Sequence, residues 1–453
     1  MMSHQVAWTQ RRTKTLPVVL LGSFWKWSSS RMSGVVRQTT VAAFLVIILT
    51  VASATPRCAS AASSKRVSEA TKTALTQELN DSVRHGDTPG VVALVVGRDG
   101  VLYQGAAGRL AIEHDAPMRQ DAIFLIASMT KPVTSVAAMQ LVEAGKLRLD
   151  DPVSKYLPGF DNLRVITKFN EADASYETRP AKRPITIRHL LTHTSGIGYG
   201  FSNAIVKRLT ETTKKDEWQL PLLSDPGDQW NYGASTSVLG MIVEKVSGES
   251  LETYFQKNIF QPLGMKDTSY AVPSDKQLRV TTVHRRVNGH LEELQRHHPI
   301  PSTPTAPFFG DGGLYSTAKD YGTFLRMFLN DGRLGSTRIL RKATVKLMEE
   351  NNIGSVSVEL QPGADPSLAN AFPLGAGHDK FGLGFQIAAG DQQYAEFRSR
   401  GSLSWAGVYN TEFWIDPVKH IGSVMMMQIL PFYDDGAIRT LRNFERSVYQ
   451  NLR

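Results

Sequence analysis

The chain has 453 residues, which is enough for a large buried core and for two or three domains. It carries 51 Lys and Arg residues against 42 Asp and Glu residues, but the excess of positive charge is local. Residues 1–61 hold seven basic residues and no acidic one, which leaves 44 basic and 42 acidic residues in the rest of the chain. This near balance argues against a nucleic-acid-binding surface.

The basic leader has the three parts of an export signal. A positive flank precedes the apolar run VAAFLVIILTVASA (41–54), and the small-residue site Ala59-Ser60-Ala61 follows it. The apolar run is shorter than the roughly 20 residues of a membrane span. We therefore expect a periplasmic or secreted protein, cleaved after Ala61, which meets a membrane only through its leader during export. An uncleaved anchor is the alternative.

Two features of the leader bear on the mature chain. The 31 residues before Met32 are unusual for such a signal, which raises Met32 as an alternative translation start. Cys58, the sole cysteine, would leave with the leader. The mature chain would then have neither disulfides nor thiol chemistry.

Beyond the leader, hydrophobic periodicity predicts elements in chain order. Residues 65–84 form a predicted helix with Val67, Ala70, Ala74, Leu75, Leu79 and Val83 on one stripe. The run GVVALVVGRDGVLYQGAAGR (90–109) predicts two strands joined by a turn at 98–100. A helix follows Ser128, and the section 147–305 is rich in helical patterns and in loops with Pro and Gly.

The end of the chain predicts strands again. They are FGLGFQIAAG (381–390), NTEFWIDP (410–417) and GSVMMMQIL (422–430), and a helix over 437–452 closes the chain. This order predicts an α+β fold, in which an antiparallel sheet built from both chain ends is flanked by helices and carries a mainly helical inserted domain. The predicted boundaries are 1–61 for the leader, 62–146 with 306–453 for the sheet domain, and 147–305 for the helical domain.

A Ser-x-x-Lys pattern occurs three times, at 23–26, 128–131 and 316–319. The first match lies in the leader. In the third, Ser316 or Thr317 is well placed to cap a helix that has Asp320 in its first turn. On local sequence alone, Ser128 could also cap a helix. It lies within AIFLIASMTKPVTSVAAMQLVEAG (122–145).

Chemistry gives Ser128 a second interpretation. A serine hydroxyl is a poor nucleophile until a base takes its proton, and a lysine one helical turn away lies on the same face. A lysine can act as that base only where burial or nearby positive charge lowers its pKa. Pro132 and Val133 give Lys131 an apolar context. A catalytic Ser128 therefore predicts partner motifs elsewhere in the chain.

Six motifs in order resemble those of the serine hydrolases related to class C β-lactamases and penicillin-binding proteins, and most of all the family VIII carboxylesterases. The motifs are SMTK (128–131), HLLTHTSGIG (189–198), PGDQWNYGASTSVLGMIVEKVSG (226–248), FQPLGMKDTSY (260–270), GDGGLYSTAKDY (310–321) and WAGVYNTEFWIDP (405–417). The resemblance implies the serine β-lactamase and DD-peptidase fold.

The resemblance also implies roles for individual residues. Ser128 would be acylated, Lys131 would share in taking its proton, and Tyr232 would act as base or proton shuttle. The backbone N–H groups of Ser128 and Val408 would form the oxyanion hole. Residues 405–407 would stand in place of the Lys-Thr-Gly motif.

Two departures from the family pattern narrow the range of expected substrates. Ala234 replaces an asparagine that binds acylamino side chains, and Trp405 replaces a cation that holds the substrate's carboxylate. The predicted substrate pocket comprises Met129, Ala234, Trp405, Ala406 and Gly407. We therefore expect an exported serine esterase acting on small ester or amide substrates. A β-lactamase, D-peptidase or amide hydrolase on the same fold is one alternative, and a non-catalytic binding protein on this scaffold is another.

Other motifs predict no further chemistry. His189 and His193 have the spacing of a metal pair but match the family as a structural segment, so we expect no metal and no cofactor. His297-His298 reads as a solvated loop, and Met425 to Met427 as core. The chain has no Gly-x-Ser-x-Gly, which argues against an α/β-hydrolase.

Overall fold

The computed structural model of the chain describes residues 67–113, 116–294, 299–390 and 397–452, which all belong to the unit Ser63–Arg453. The predicted leader, with Cys58 and its cleavage site, lies outside these residues, as does His297-His298. Within the described ranges, no helix combines the length and apolar character needed to cross a membrane.

The strands come mainly from the two ends of the unit. In chain order they are β1 (Gly90–Gly97), β2 (Val101–Ala111), β3 (Ala116–Pro117), β4 (Phe124–Leu125), β5 (Arg164–Phe169), β6 (Tyr176–Pro180), β7 (His284–Val287), β8 (His290–Glu293), β9 (Tyr315–Ser316), β10 (Arg333–Leu334), β11 (Thr337–Arg338), β12 (Lys380–Phe381), β13 (Gln386–Ile387), β14 (Leu403–Gly407), β15 (Thr411–Asp416), β16 (Ile421–Met426) and β17 (Ile429–Leu430).

The α-helices alternate with these strands and dominate the middle of the chain. They are α1 (Glu69–Arg84), α2 (Thr130–Glu143), α3 (Ile187–Leu191), α4 (Ala204–Thr213), α5 (Ser235–Ser247), α6 (Leu251–Phe255), α7 (Gln261–Leu263), α8 (Ala318–Leu329), α9 (Lys342–Glu349) and α10 (Asp435–Asn451).

The main sheet joins both chain ends, as the sequence predicts. Its eight strands are antiparallel in the order β12-β13-β14-β15-β16-β1-β2-β3, so that β1 pairs with β16 through contacts such as Leu94 with Val424. The turn at 98–100 connects β1 and β2. The expected α+β architecture, an antiparallel sheet flanked by helices, is therefore confirmed.

Strand β1 separates two hydrophobic layers, because successive side chains of a strand point to opposite faces. Leu94 and Val96 belong to one buried cluster with Phe324 of α8, whereas Ala93 and Val95 belong to another with α1 and α10. Helix α8 lies close to the sheet at Gly322, where a Cβ atom would come within 2.1 Å of the Leu94 side chain. The sheet is thus covered on both faces by hydrophobic side chains.

Three details differ from the sequence interpretation. Helix α1 buries Thr71, Leu75, Leu79 and Ser82, whereas Ala70 is exposed, so its inner face is rotated from the predicted stripe. Strand β14 was not among the strands predicted from hydrophobic periodicity. The section 147–305 contains the hairpins β5-β6 and β7-β8 as well as helices. The domain boundaries proposed from sequence stay a prediction.

A buried charged cluster lies between the sheet and α10. Arg398 makes two hydrogen bonds to Glu445, of 2.8 and 3.1 Å, and its guanidinium stacks 4.9 Å from the ring of Trp414. Glu412 is buried beside this pair, and its Oε1 has no hydrogen-bond partner. Burial raises the pKa of Glu412 to about 8, opposed by Arg398 and reinforced by Glu445.

This raised pKa predicts a stability that falls as the pH rises. Between the ordinary value of 4.5 and about 8, unfolding releases the proton of Glu412, so the free energy of unfolding declines over that window. Glu412→Gln should remove the contribution of this residue to the decline, which we expect to be on the order of a few kcal/mol. Urea unfolding at pH 5 and pH 9 measures it, with the exposed Glu171→Gln as control. Equal pH dependence in parent and Glu412→Gln would contradict this assignment.

Candidate active site

Ser128 lies in a tight turn between the β4 strand and α2. A 3₁₀ turn over Ala127–Met129 leads directly into the helix, and Ala127 has a φ of 43°, in the left-handed region that costs a non-glycine residue about 1–3 kcal/mol. The Ser128 side chain makes no capping hydrogen bond to either helix. Its Oγ instead accepts a hydrogen bond of 3.0 Å from Lys131 Nζ. The capping interpretation of Ser128 is therefore wrong.

Capping does explain the other described Ser-x-x-Lys match. Thr317 is the N-cap of α8, and its side chain accepts a hydrogen bond from the N–H of Asp320. The neighbouring Ser316 hydroxyl contacts Thr268 instead. The same short motif thus has two different uses in one chain, and of the two matches within the described residues, only the one at 128–131 has a hydrogen bond between its serine and lysine side chains.

Lys131 is almost completely buried, with 2 % of its surface exposed, because α2 is packed against other parts of the protein on nearly every side. Besides its bond to Ser128, its Nζ donates a 2.9 Å hydrogen bond to the carbonyl oxygen of Asp311. The same amine lies 4.9 Å from the ring centre of Tyr232 and 5.2 Å from that of Tyr199. Hydrogen bonds and aromatic faces thus replace the water that the amine has lost.

Tyr232 lies just before α5, and the centre of its ring is 4.9 Å from the Lys131 amine. It is buried, and its hydroxyl oxygen accepts a 3.3 Å hydrogen bond from the indole Nε1 of Trp405. This hydrogen bond fixes the position of the hydroxyl oxygen. The predicted catalytic set of Ser128, Lys131 and Tyr232 therefore lies in one place, with Trp405 as a direct partner of the tyrosine.

The end of strand β14 lies against the turn that carries Ser128. At Gly407, a Cβ atom would meet the carbonyl oxygen of Ile126 at 2.4 Å, so only glycine allows this approach. The Thr411 hydroxyl, opposite Gly407 on β15, donates to the same carbonyl at 3.4 Å. Val408 follows Gly407 at this edge. The oxyanion hole of Ser128 and Val408 stays a prediction.

Further aromatic side chains surround Tyr232, and apart from His193 the sequence analysis did not name them. Its ring centre lies 5.0 Å from that of His193, 5.2 Å from Tyr199 and 5.7 Å from Phe372. Phe201 stacks on Tyr199 at 5.1 Å. Tyr199 and Phe201 follow the motif at 189–198, but Phe372 comes from a loop with no recognisable pattern, so only the fold brings it here.

The predicted pocket residues have different surroundings. Met129 and Ala234 are buried, and the Met129 carbonyl accepts a hydrogen bond from Tyr321. Trp405 lies beside Tyr232, with ring centres 4.9 Å apart. Ala406 pairs with Glu412 of β15 and lines, with it, a cavity of about 60 Å³. Their assignment to a substrate pocket stays a prediction.

Neither His189 nor His193 is arranged as a metal ligand. His189 accepts a hydrogen bond from the N–H of Thr186 in a capping box, and burial lowers its pKa to about 4. Burial lowers the pKa of His193 well below its usual value, and the charge of Lys131 adds to this. Among the described residues, no group of three or more His, Cys, Asp and Glu side chains could hold a metal ion.

The family pattern named Beta-lactamase matches residues 73–446. The chain belongs to the β-lactamase family. It is 30 % identical over 368 residues to acyltransferase calJ of Penicillium decumbens, covering 77 % of this chain and 86 % of that one. It is 29 % identical over 385 residues to lovastatin esterase of Penicillium rubens, covering 77 % and 91 %.

A solved structure of the family has the same fold. Unliganded simvastatin synthase (LovD) from Aspergillus terreus, a selenomethionyl derivative, superimposes with a TM-score of 0.70 at 26 % identity, over 84 % of this chain and 98 % of that one. Together with the esterase and the acyltransferase, this similarity supports an enzyme with serine-type ester-hydrolysing or acyl-transferring chemistry.

The contacts of Lys131 and Tyr232 predict that both accelerate reaction at Ser128. Lys131→Met keeps an apolar side chain of similar length, and Tyr232→Phe removes only a hydroxyl. We expect each to slow covalent labelling by a serine-directed fluorophosphonate probe by about 10²- to 10⁴-fold, since each removes a proton-transfer group. Near-normal labelling in a variant that retains the parent's thermal unfolding would exclude that residue from activating Ser128.

The approach of β14 to the turn predicts a steric test. Gly407→Ala should push the strand away from Ile126 and slow labelling of Ser128 roughly tenfold or more, because small displacements of reacting groups are costly. Gly100→Ala, whose added Cβ atom meets nothing within 4 Å, is the matched control and should label normally. Equal rates in the two variants would show that this close contact does not position the site.

Proposed function

We propose that this chain is an exported serine hydrolase that cleaves carboxylic esters through an acyl-enzyme on Ser128. The observation that carries the proposal is the 3.0 Å hydrogen bond from the buried Lys131 amine to Ser128 Oγ. Tyr232 beside it supplies a second group able to accept a proton, and Trp405 holds the tyrosine hydroxyl. Export rests on the composition of residues 1–61 alone.

The proposed reaction has two steps. Ser128 Oγ attacks the ester carbonyl and forms a new C–O bond, while its proton passes by way of Lys131 and Tyr232 to the departing alcohol, whose own bond to carbon breaks. A water molecule then attacks the acyl group by the reverse path, which frees Ser128 and releases the carboxylic acid. The reaction needs no oxidant, reductant or metal to balance.

The surroundings of Ser128 favour esters over the anionic substrates of lactamases and peptidases. Trp405 offers an indole where related enzymes have a cation for a substrate carboxylate, and Ala234 offers a methyl group in place of an amide. Losing one charge-assisted hydrogen bond costs about 1.5–3 kcal/mol, or one to two decades of affinity. A substrate with a neutral acyl group forms no such hydrogen bond, so the change to Trp405 and Ala234 does not weaken its binding.

Acyl transfer is the second candidate function. The acyl-enzyme would be the same, but an alcohol in place of water would attack it and form a new ester. The similarity to simvastatin synthase and to acyltransferase calJ supports this candidate. Partition of the acyl group between water and an added alcohol separates the two functions.

Hydrolysis of p-nitrophenyl butyrate by residues 62–453 tests the proposal. We expect release of p-nitrophenol by the parent and loss of at least about 10³-fold in Ser128→Ala, since no other group replaces the nucleophile. Added butanol should yield butyl butyrate if transfer competes with hydrolysis.

Three results would count against an ester hydrolase. Turnover that persists in Ser128→Ala would place the reaction elsewhere. A folded parent that cleaves a chromogenic cephalosporin faster than the ester would favour the lactamase alternative. A folded parent that resists every serine-directed probe would favour a binding protein on this scaffold.

A further inference from the structure

We propose that the carboxylate of Asp311 is a specificity-determining group, which disfavours acyl groups carrying a negative charge and so directs the enzyme to neutral or cationic esters. The inference rests on the proposed function. It assigns a purpose to a residue that the sequence analysis passed over within the motif GDGGLYSTAKDY (310–321).

Asp311 is connected to the reacting groups in two ways. Its carbonyl oxygen accepts the 2.9 Å hydrogen bond from Lys131 Nζ, which also binds Ser128 Oγ. Its carboxylate accepts a hydrogen bond from the hydroxyl of Tyr199, whose ring lies 5.2 Å from the same amine and 5.2 Å from the ring of Tyr232. Two consecutive hydrogen bonds therefore connect Asp311 to the nucleophile.

The segment that carries Asp311 is tied to α2 on both sides. The carbonyl of Gly310 accepts a 2.5 Å hydrogen bond from Thr134, and the N–H of Leu314 donates to the hydroxyl of Thr130 at 3.4 Å. Leu314 also accepts a 2.9 Å bond from the N–H of Ile126, just before the turn of Ser128. The backbone of this segment is thus fixed relative to Ser128, and the hydrogen bond from the Tyr199 hydroxyl holds the carboxylate.

The charge of Asp311 is not neutralised by an ion pair with any described residue. Its side chain is half-buried, where salt screens a charge less than at an open surface. Its field reaches its neighbours: burial raises the pKa of Tyr199 well above the usual value, and the Asp311 carboxylate raises it further. Glu217, whose pKa is also raised by burial, feels the same charge.

The consequence concerns any substrate with a carboxylate near its scissile carbonyl, as β-lactams and C-terminal peptides have. Such a substrate would bring two negative charges close together in a partly desolvated site, where the repulsion is several times stronger than in water. Trp405 offers no cation to offset it. The amine of Lys131 already donates its hydrogen bonds to Ser128 Oγ and the Asp311 carbonyl, whereas the Asp311 carboxylate repels a second negative charge.

Two p-nitrophenyl esters of equal acyl length test this inference: mono-p-nitrophenyl glutarate, which is anionic, and p-nitrophenyl methyl glutarate, which is neutral. The readout is the ratio of their kcat/KM values, corrected for spontaneous hydrolysis. Asp311→Asn removes the charge but keeps an oxygen for the Tyr199 hydroxyl. We expect it to raise the anionic-to-neutral ratio by about 3- to 10-fold.

Two controls separate charge from structure. Tyr199→Phe keeps the carboxylate and removes its hydrogen bond, so it should change both substrates by similar factors and leave the ratio within about twofold. Raising NaCl from about 0.05 to 0.5 M should raise the ratio in the parent and have little effect in Asp311→Asn, because salt weakens the repulsion. Asp311→Ser serves if Asp311→Asn does not fold, and the salt series in the parent needs no variant.

The outcomes distinguish this inference from the proposed function. If the neutral ester is hydrolysed through Ser128 but Asp311→Asn and salt leave the ratio unchanged, the inference is wrong and the proposed function stands. If the parent hydrolyses neither ester, the proposed function fails. The role of Asp311 is then tested by the rates at which an anionic and a neutral serine-directed phosphonate label the protein. If Asp311→Asn changes both labelling rates by the same factor, the inference is wrong.

Discussion

A buried amine is the constraint on which the site depends. Lys131 has 2 % of its surface exposed, and an amine removed from water is costly unless hydrogen bonds or aromatic faces replace its hydration. Ser128 Oγ and the Asp311 carbonyl accept its hydrogen bonds, and the rings of Tyr199 and Tyr232 lie around it. The need to surround this one group brings together four segments that are distant in sequence.

Helices and strands hold the groups around Lys131 in fixed positions. Helix α2 is buried on nearly every side, so the residues at its start cannot shift without disturbing the core. The segment 310–314 is bonded to α2 at Thr130 and Thr134, and β14 reaches the turn at Gly407 because that residue has no side chain.

The sequence predicted those parts of the site that form local patterns. Ser128 and Lys131 lie one helical turn apart, and Tyr232 lies in a recognisable motif, so their meeting could be expected. The Tyr199–Asp311 contact joins residues 112 positions apart, and Phe372 belongs to a loop whose path no periodicity describes. Such contacts depend on how distant segments pack, which a single sequence does not display.

The fold shows the same division. The β1-β2 hairpin and the closing helix have strong periodic signals and were predicted, whereas β14 contains Ser, Ala and Gly, which do not favour strands. Its place in the sheet comes from pairing with β13 and β15 on either side. Helix α1 buries Thr71 and Ser82, polar residues that a search for an apolar stripe leaves out.

The covalent acyl-enzyme is the central claim, and mass spectrometry of the intact protein tests it most directly. The protein is mixed with p-nitrophenyl butyrate, quenched with acid within the first turnovers, weighed and digested. The account predicts a gain of about 70 Da, one butyryl group, on the peptide that contains Ser128, and no gain in Ser128→Ala. Turnover with no adduct, or with an adduct on another residue, would contradict it.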